Sequence, residues 1–461
     1  MSRKYAYAAV AGCLLLVSCT TGDTFDRQVL ETRDASSSST VYYSNRDAGF
    51  SARLSGTNTN GLSRTRDLWV FGDSGGWDAT GTQFAGLGFP TNTASLVSPK
   101  TAGSSPPVAP LPSAVTKDAQ GHPLAFVGFI SGGAAYPTCI AGTPGQPGEY
   151  AAQWPNAVIR LPDNDARFET ALVFYQNWCV RLLPSVSYRP FDGGVAVMTW
   201  DANNPDTTPT ATVLNDRLFA PGRFINQWLP NGLEKGGTYG EAPYFKPGTT
   251  NELIVLQCGN ASHCTTARWV YDTSKTVQQN LDTVKLRASW RYRNEGPTTA
   301  HNDDQWLPLP PVDGTPDNDC TPTSDEACAP TGTYPVAKRV LTASSDPLTQ
   351  VWGAPSIAVQ GNVLLMTYMP GPPAASFDLD HAAVRMSAGD GIFNTPAKGN
   401  LPAGICTKGC YAPVLHPELN HDSWIYFSYY AKETVTLPSG LKIGSLRIGR
   451  SCVNEFNGGG C

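Results

Sequence analysis

Charge is scarce in this sequence. Only 15% of its 461 residues are Asp, Glu, Lys or Arg, and 33 basic against 38 acidic side chains leave a formal net charge of −5. The basic residues gather into no stripe or patch, which speaks against a nucleic-acid partner, because such partners require a clustered basic face. Histidine is scarce as well: the six are scattered, and none stands at zinc-ligand spacing from a pair of cysteines, so no metal is expected. Sustained helical periodicity is missing, and beyond Val17 no apolar run approaches the ~20 residues that span a bilayer.

What is present begins at the N-terminus. Arg3 and Lys4 precede an apolar, small-residue run from Tyr5 to Val17, ending in Leu16-Val17-Ser18-Cys19 and followed at once by polar residues. This is the anatomy of a signal peptide, and its last four residues resemble the lipobox of bacterial lipoproteins. The expectation is a signal peptide over 1–18, lipidation at Cys19, a flexible tether over 19–40 ending in Ser36-Ser37-Ser38-Ser39, and one folded domain over 41–461. Thr20, rather than Asp, follows the cysteine, so the expected place is outside the cytoplasm, on the outer membrane where the cell has two. The lipid at Cys19 would be the membrane contact, and the chain is expected to be a monomer.

Cysteine usage agrees with that compartment. Of 12 cysteines, Cys13 would leave with the signal peptide and Cys19 would be acylated, so ten remain, an even number that suits disulfides in an oxidising space. Close spacings suggest Cys258 with Cys264, Cys320 with Cys328, Cys406 with Cys410 and Cys452 with Cys461, leaving Cys139 and Cys179. Asp317, Asp319, Asp325 and Glu326 flank one of these pairs. A calcium ion could sit there, but a solvated acidic loop is the simpler reading, and no cofactor is expected.

With 45 Gly and 38 Pro, the chain alternates short apolar runs with turn-forming clusters. Strands are predicted at Leu68–Phe71, Leu124–Ile130, Ala171–Tyr175, Val195–Trp200, Leu253–Gln257, Val363–Tyr368 and Trp424–Tyr430. A weak repeat orders them. Glu241-Ala242-Pro243, Gly353-Ala354-Pro355 and Tyr411-Ala412-Pro413 each open a short strand, which a turn links to a second, apolar one. Proline is tolerated at the first position of a strand. Two N-terminal units, Asp47 to Asp73 and about Ala157 to Trp178, bring the number to about five. The fold class is all-β, and repeated strand–turn–strand units favour a five-bladed propeller with long inserted loops over a β-sandwich, which leaves the Ala-Pro step unexplained.

Two carboxylates stand out. Asp47 lies in Asn45-Arg46-Asp47-Ala48-Gly49-Phe50-Ser51, and Asp73 ends the strand Leu68-Trp69-Val70-Phe71-Gly72-Asp73-Ser74. The polar turn between them allows a hairpin that would bring both acids to one end. Glu241 opens the third unit, and in a propeller it would converge with them on the axis. Paired carboxyl groups are what glycosidic hydrolysis requires, one protonating the leaving oxygen and one activating water or attacking.

These segments, with Gly240-Glu241-Ala242-Pro243-Tyr244 and Trp352-Gly353-Ala354-Pro355, resemble the domain-of-unknown-function family 4185, glycoside hydrolase family 183, over roughly residues 41–450. The resemblance implies a five-bladed propeller and an endo-D-arabinanase cutting the D-arabinofuranose chains of mycobacterial cell-wall polysaccharides. It makes Asp47 and Asp73 the acid and base, with Glu241 a third acid that could tune them. By analogy with other five-bladed glycosidases it leans towards inversion. Ser74 stands where Thr is common in the family, Ala48 where Gly is common, and the hairpin loop is longer, departures that bear on substrate fit. Arg46, Trp69, Trp352 and His416 are the predicted substrate contacts, Trp77, Trp178 and Trp228 are further candidates for stacking on sugar, and His416 could equally close a turn. The alternative is a sugar-binding propeller without catalysis, a surface glycan receptor.

Overall fold

The computed structural model describes residues 28–29 and those from 43 to 452 other than, chiefly, 83–89, 129–138, 140–147, 220–239, 294–305, 310–338, 343–350, 371–382, 388–398 and 401–409. In chain order, β1 is Gln28–Val29, and the first unit contains β2 (Tyr43–Arg46), β3 (Gly49–Thr57), β4 (Ser63–Phe71), β5 (Ser74–Trp77) and β6 (Thr93–Val97). The second is β7 (Tyr150–Arg160), β8 (Phe168–Arg181), β9 (Ser187–Asp201) and β10 (Thr210–Asn215). The third is β11 (Glu241–Phe245), β12 (Glu252–Cys258), β13 (His263–Val270), β14 (Arg291–Arg293), β15 (Trp306–Pro308) and β16 (Arg339–Thr342). The fourth is β17 (Val351–Gln360), β18 (Val363–Pro370), β19 (Ala383–Ser387) and β20 (Gly399–Asn400), and the fifth β21 (Cys410–Leu415), β22 (Trp424–Thr436) and β23 (Lys442–Cys452).

Each unit is an antiparallel meander in which the first long strand pairs with the second and the second with the third. The first strands follow one another in a ring: β3 lies against β7, β7 against β11, β11 against β17, β17 against β21, and β21 against β3. Five meanders arranged around an axis form a five-bladed β-propeller, the all-β architecture expected.

The strands read as apolar runs because both of their faces are covered. On β4, Leu68 and Val70 pack towards the second blade with Ala171, Val173 and Met198, while Trp69 and Phe71 pack towards the fifth with Tyr426, Leu446 and Ile448. On β8, Leu172 and Phe174 join a core with Leu253, Val255 and Trp269 of the third blade. Alternation of period two thus distributes side chains between two neighbours rather than between core and water.

Several sequence expectations need correcting. Gln28 and Val29, inside the segment expected to be a tether, pair with Ile448 and Arg447 of β23 and add an outer strand to the last blade, because β23 otherwise presents an unpaired edge. Leu124–Ile130 was predicted as a strand, yet its described residues form none: Val127 N–H donates to the Asn92 side chain and Phe126 N–H to Asn92 O, so their amides are satisfied outside any ladder. A helix, α1 (Val277–Val284), is present where no helix is expected; its signal is the capping box of Thr276 and Gln279, and Leu281 and Val284 anchor it to the core of the second and third blades. Disulfides join Cys139 to Cys179 and Cys258 to Cys264. The other proposed pairs, Cys19 and the acidic loop at 317–326 lie outside the residues whose side chains are described.

Candidate active site

The hairpin of β3 and β4 pairs Gly49 with Phe71, which puts Asp47 and Asp73 at the same end of the first blade. Their backbones are locked together: Asp47 N–H donates to Asp73 O at 2.8 Å, and Gly72 N–H to Asp47 O at 2.7 Å. A Cβ on residue 72 would lie 3.3 Å from that Asp47 oxygen, so glycine permits the close approach.

The same backbone device recurs at three of the five inner strands. Asp47 is followed by Ala48 at φ 43°, Glu241 by Ala242 at φ 45°, and Tyr411 by Ala412 at φ 54°. The ladder register then shifts between Glu241 and Tyr244, and between Tyr411 and Val414. A left-handed residue with a bulge re-aims the side chain ahead of it, and in each case that side chain is a titratable group. Holding an L-residue there costs about 1–2 kcal/mol, whereas glycine gives back about 0.5–1 kcal/mol in chain entropy. Ala412→Gly should therefore be neutral to about 1 kcal/mol more stable, and Ala412→Val clearly destabilised, as read from denaturant midpoints; equal midpoints for the two would show the backbone to be unstrained.

Around these three groups the structure builds a network of donors. The Tyr411 hydroxyl donates to Asp47 Oδ1, and Trp154 Nε1–H donates to Asp73 Oδ1 at 2.7 Å. The Trp154 ring sits 5.3 Å from that of Trp178, whose Nε1–H donates to Gln176 Oε1 at 3.2 Å. Gln176 Nε2–H in turn donates to Glu241 Oε1 at 3.2 Å, and Cys258 N–H donates to Glu241 Oε2 at 2.9 Å. The aromatic pair thus bridges Asp73 in the first blade and Glu241 in the third. Asp47, Asp73, Glu241, Trp154, Trp178 and Tyr411 all keep part of their surface open to solvent.

The carboxyls are sunk deeply enough to hold protons at unusual pH. Burial raises Asp47 to about 7, against the pull of the Tyr411 hydroxyl, with the nearby charge of Asp73 raising it further and Lys432 lowering it. Burial raises Asp73 to about 6, opposed by the Trp154 donor. Glu241 rises highest, to about 8, again through burial and against its two donors. Asp47 and Asp73 thus form a bonded pair of raised carboxyls, and Glu241 is a third raised carboxyl linked to them through Gln176, Trp178 and Trp154.

Other predicted contacts lie elsewhere. Trp69 is fully buried between blades with its ring 4.4 Å from that of His416. His416, also fully buried, has Nδ1 bonded to the Ser51 hydroxyl, which also donates to Glu418. Arg46 is 2% exposed, donates to Ser95 Oγ at 2.6 Å and lies over the Phe71 ring. All three are buried in the wall, Trp69 in apolar packing between blades and Arg46 and His416 in hydrogen bonds with Ser95 and Ser51. Trp77 is likewise core, and the side chains of Trp228 and Trp352 lie outside those described. The residues that sequence reasoning missed are Trp154, Gln176, Tyr411 and Lys432. Tyr411 had a signal: Tyr411-Ala412-Pro413 aligns it with Glu241.

Along the axis runs a cavity of about 410 Å³ lined by all five inner strands, among them Phe50, Val158, Tyr244, Ile357 and Val414, and none of the three acids borders it. Among the described residues, the one cluster of metal-ligand type is Cys139, Glu149 and Cys179, and its two thiols are joined in a disulfide.

No protein-family model matches the chain, and no curated protein does so significantly. Among solved structures, a Bacteroides ovatus protein provisionally described as a hydrolase is similar at 11% identity over 90% of this chain and 86% of its own, with a TM-score of 0.47. A glycoside hydrolase family 43 enzyme from Xanthomonas citri, complexed with xylotriose, is 10% identical over 93% of this chain and 90% of its own, TM-score 0.38. The catalytic domain of a family 62 α-L-arabinofuranosidase from Coprinopsis cinerea is 9% identical over 93% of this chain and 98% of its own, TM-score 0.38. The propeller assignment itself rests on the ring of inner strands.

Proposed function

We propose that the chain is a glycoside hydrolase that cleaves arabinofuranosidic linkages, as an endo-D-arabinanase, and that it works as a lipid-anchored protein outside the cytoplasm. The observation that carries the hydrolase reading is the backbone-bonded pair Asp47 and Asp73, both with raised proton affinity, linked through Trp154, Trp178 and Gln176 to a third raised carboxyl, Glu241. The Leu-Val-Ser-Cys ending of the N-terminal run and the family resemblance supply the anchor and the substrate class.

Glu241 is the general acid, because it keeps its proton to about pH 8. It protonates the glycosidic oxygen as the bond from that oxygen to the anomeric carbon breaks. The Asp47–Asp73 pair acts as one unit, with values of about 7 and about 6, so Asp73 ionises first and Asp47 follows near neutrality. The ionised Asp47 takes a proton from water whose oxygen attacks the anomeric carbon. Water then supplies both the new hydroxyl and the proton that restores the acid, and the configuration inverts. Trp154 and Trp178, lying between the two functions, offer apolar ring faces to the furanose.

Activity should follow a bell in pH. Its acidic limb reflects ionisation of the pair near 6 to 7, and its basic limb the loss of the Glu241 proton near 8. Incubation with mycobacterial arabinogalactan, beside plant arabinan as control, should release oligosaccharides from the former with an optimum near neutrality and an inverted anomer formed first. Binding without product on either polymer would favour the receptor reading.

A further inference from the structure

The inner strand of the fifth blade carries a tyrosine where the first and third carry carboxylic acids. Asp47, Glu241 and Tyr411 each stand one residue ahead of an alanine held at positive φ, and at Glu241 and Tyr411 a register shift follows. Tyr411 thus occupies the position on its blade that Asp47 and Glu241 occupy on theirs, and its hydroxyl donates to Asp47 Oδ1. Tyr411 is itself held: its ring lies 4.9 Å from that of Tyr430, whose hydroxyl accepts from Asn45 Nδ2 at 2.8 Å. The ammonium of Lys432, two residues beyond Tyr430, lies 5.9 Å from the Tyr411 ring centre.

Resting on the hydrolase reading, we propose that Tyr411, backed by Lys432, is a positioning residue that holds the ionised form of Asp47 and turns its second oxygen towards the reacting water. The groups facing Asp47 are Asp73, beyond the end of β4, whose charge opposes ionisation, and Tyr411 on β21 with Lys432 on β22, which favour it. Tyr411 can play this part throughout the working range because burial and the neighbouring Asp47 hold its own hydroxyl protonated well above the usual tyrosine range. Asp73 receives the matching bond from Trp154 on β7. Each member of the pair thus has one oxygen held by an aromatic donor from another blade.

Tyr411→Phe keeps the ring packed on Tyr430 and removes only the donor. Loss of a hydrogen bond to a charged group should raise the ionisation of Asp47 by about one to two pH units. The acidic limb of kcat/KM should move up with it, towards the basic limb of Glu241. Activity on arabinan below pH 7 should fall about ten- to a hundredfold, with a smaller loss towards pH 8. Lys432→Met, at an exposed position, should shift the limb in the same direction by less.

The titration is to be read separately by carbon-13 NMR of the aspartate carboxyls in the full chain, with the Asp47 signal identified by its absence in Asp47→Asn. An upward shift of that signal in Tyr411→Phe together with the moved limb is the result expected. An unmoved Asp47 titration in a folded Tyr411→Phe overturns the assignment, whatever happens to rate. A shifted titration in a chain that hydrolyses no furanoside leaves the hold of Tyr411 on Asp47 standing and removes the hydrolase reading.

Discussion

Glu241→Gln should lower turnover on polymeric arabinan by about 10²–10⁴-fold, the range associated with a general acid, while leaving the fold intact. Gln is nearly isosteric, and its Oε1 can still accept from Cys258 N–H or Gln176 Nε2–H, the two bonds that clasp the native side chain. What it cannot do is release a proton to the leaving oxygen. An arabinan oligosaccharide with a nitrophenyl leaving group needs no such proton, so its cleavage should fall far less than that of the polymer. Stability should move the opposite way. The folded pKa of about 8 lies above the ordinary glutamate value of 4.5, so between these pH values the native state holds a proton that the unfolded chain has lost, and native stability falls as pH rises. Gln removes that decline, and the variant should resist denaturant better than the parent at pH 8 and about equally at pH 4. Loss of activity with gained stability is what an acid kept for chemistry shows. Equal losses on polymer and nitrophenyl substrate would take Glu241 out of the proton-donor role.

The parts of this arrangement that could be read from the sequence are those where local chemistry and fold agree. The run Leu68-Trp69-Val70-Phe71 is legible as a strand because four consecutive apolar residues suit a sheet covered on both faces, and the structure divides them alternately between two neighbouring blades. The Ala-Pro steps are legible as unit boundaries, although the left-handed alanine and bulge found at Ala242 and Ala412 appear only in three dimensions. The double-sided burial that exposes the strands also conceals which side chains face the site. Trp69, in the most distinctive motif, is entirely interior, whereas Trp154, in a stretch with no motif, donates to Asp73. Phe126 and Val127 show the converse failure: they are buried and apolar but bonded to Asn92, so hydrophobicity without a ladder partner made a loop resemble a strand. Contacts between blades, such as Trp154 with Asp73 across 81 positions, leave no local trace.

Asp47→Asn and Asp73→Asn should each lower turnover by about 10²–10⁴-fold, and the double variant should be little worse than the poorer single one. The reason is physical proximity. The backbones of the two residues are bonded to each other, and the charge of Asp73 raises the proton affinity of Asp47, so the two act as one unit. Removing either acid disables the unit, and removing the second then removes little more, as interdependent catalytic groups are strongly non-additive. The pH profiles should separate their parts. In Asp73→Asn the like charge is gone, so the remaining Asp47 should ionise more readily and the acidic limb should move down. In Asp47→Asn only Asp73 titrates, near 6 with its Trp154 bond retained. Added azide, a small anion able to attack in place of activated water, should restore part of the lost rate in both single variants and none in Glu241→Gln with the polymer. Two independent structural aspartates would behave otherwise, with additive losses of stability, activity per folded molecule unchanged, and no response to azide.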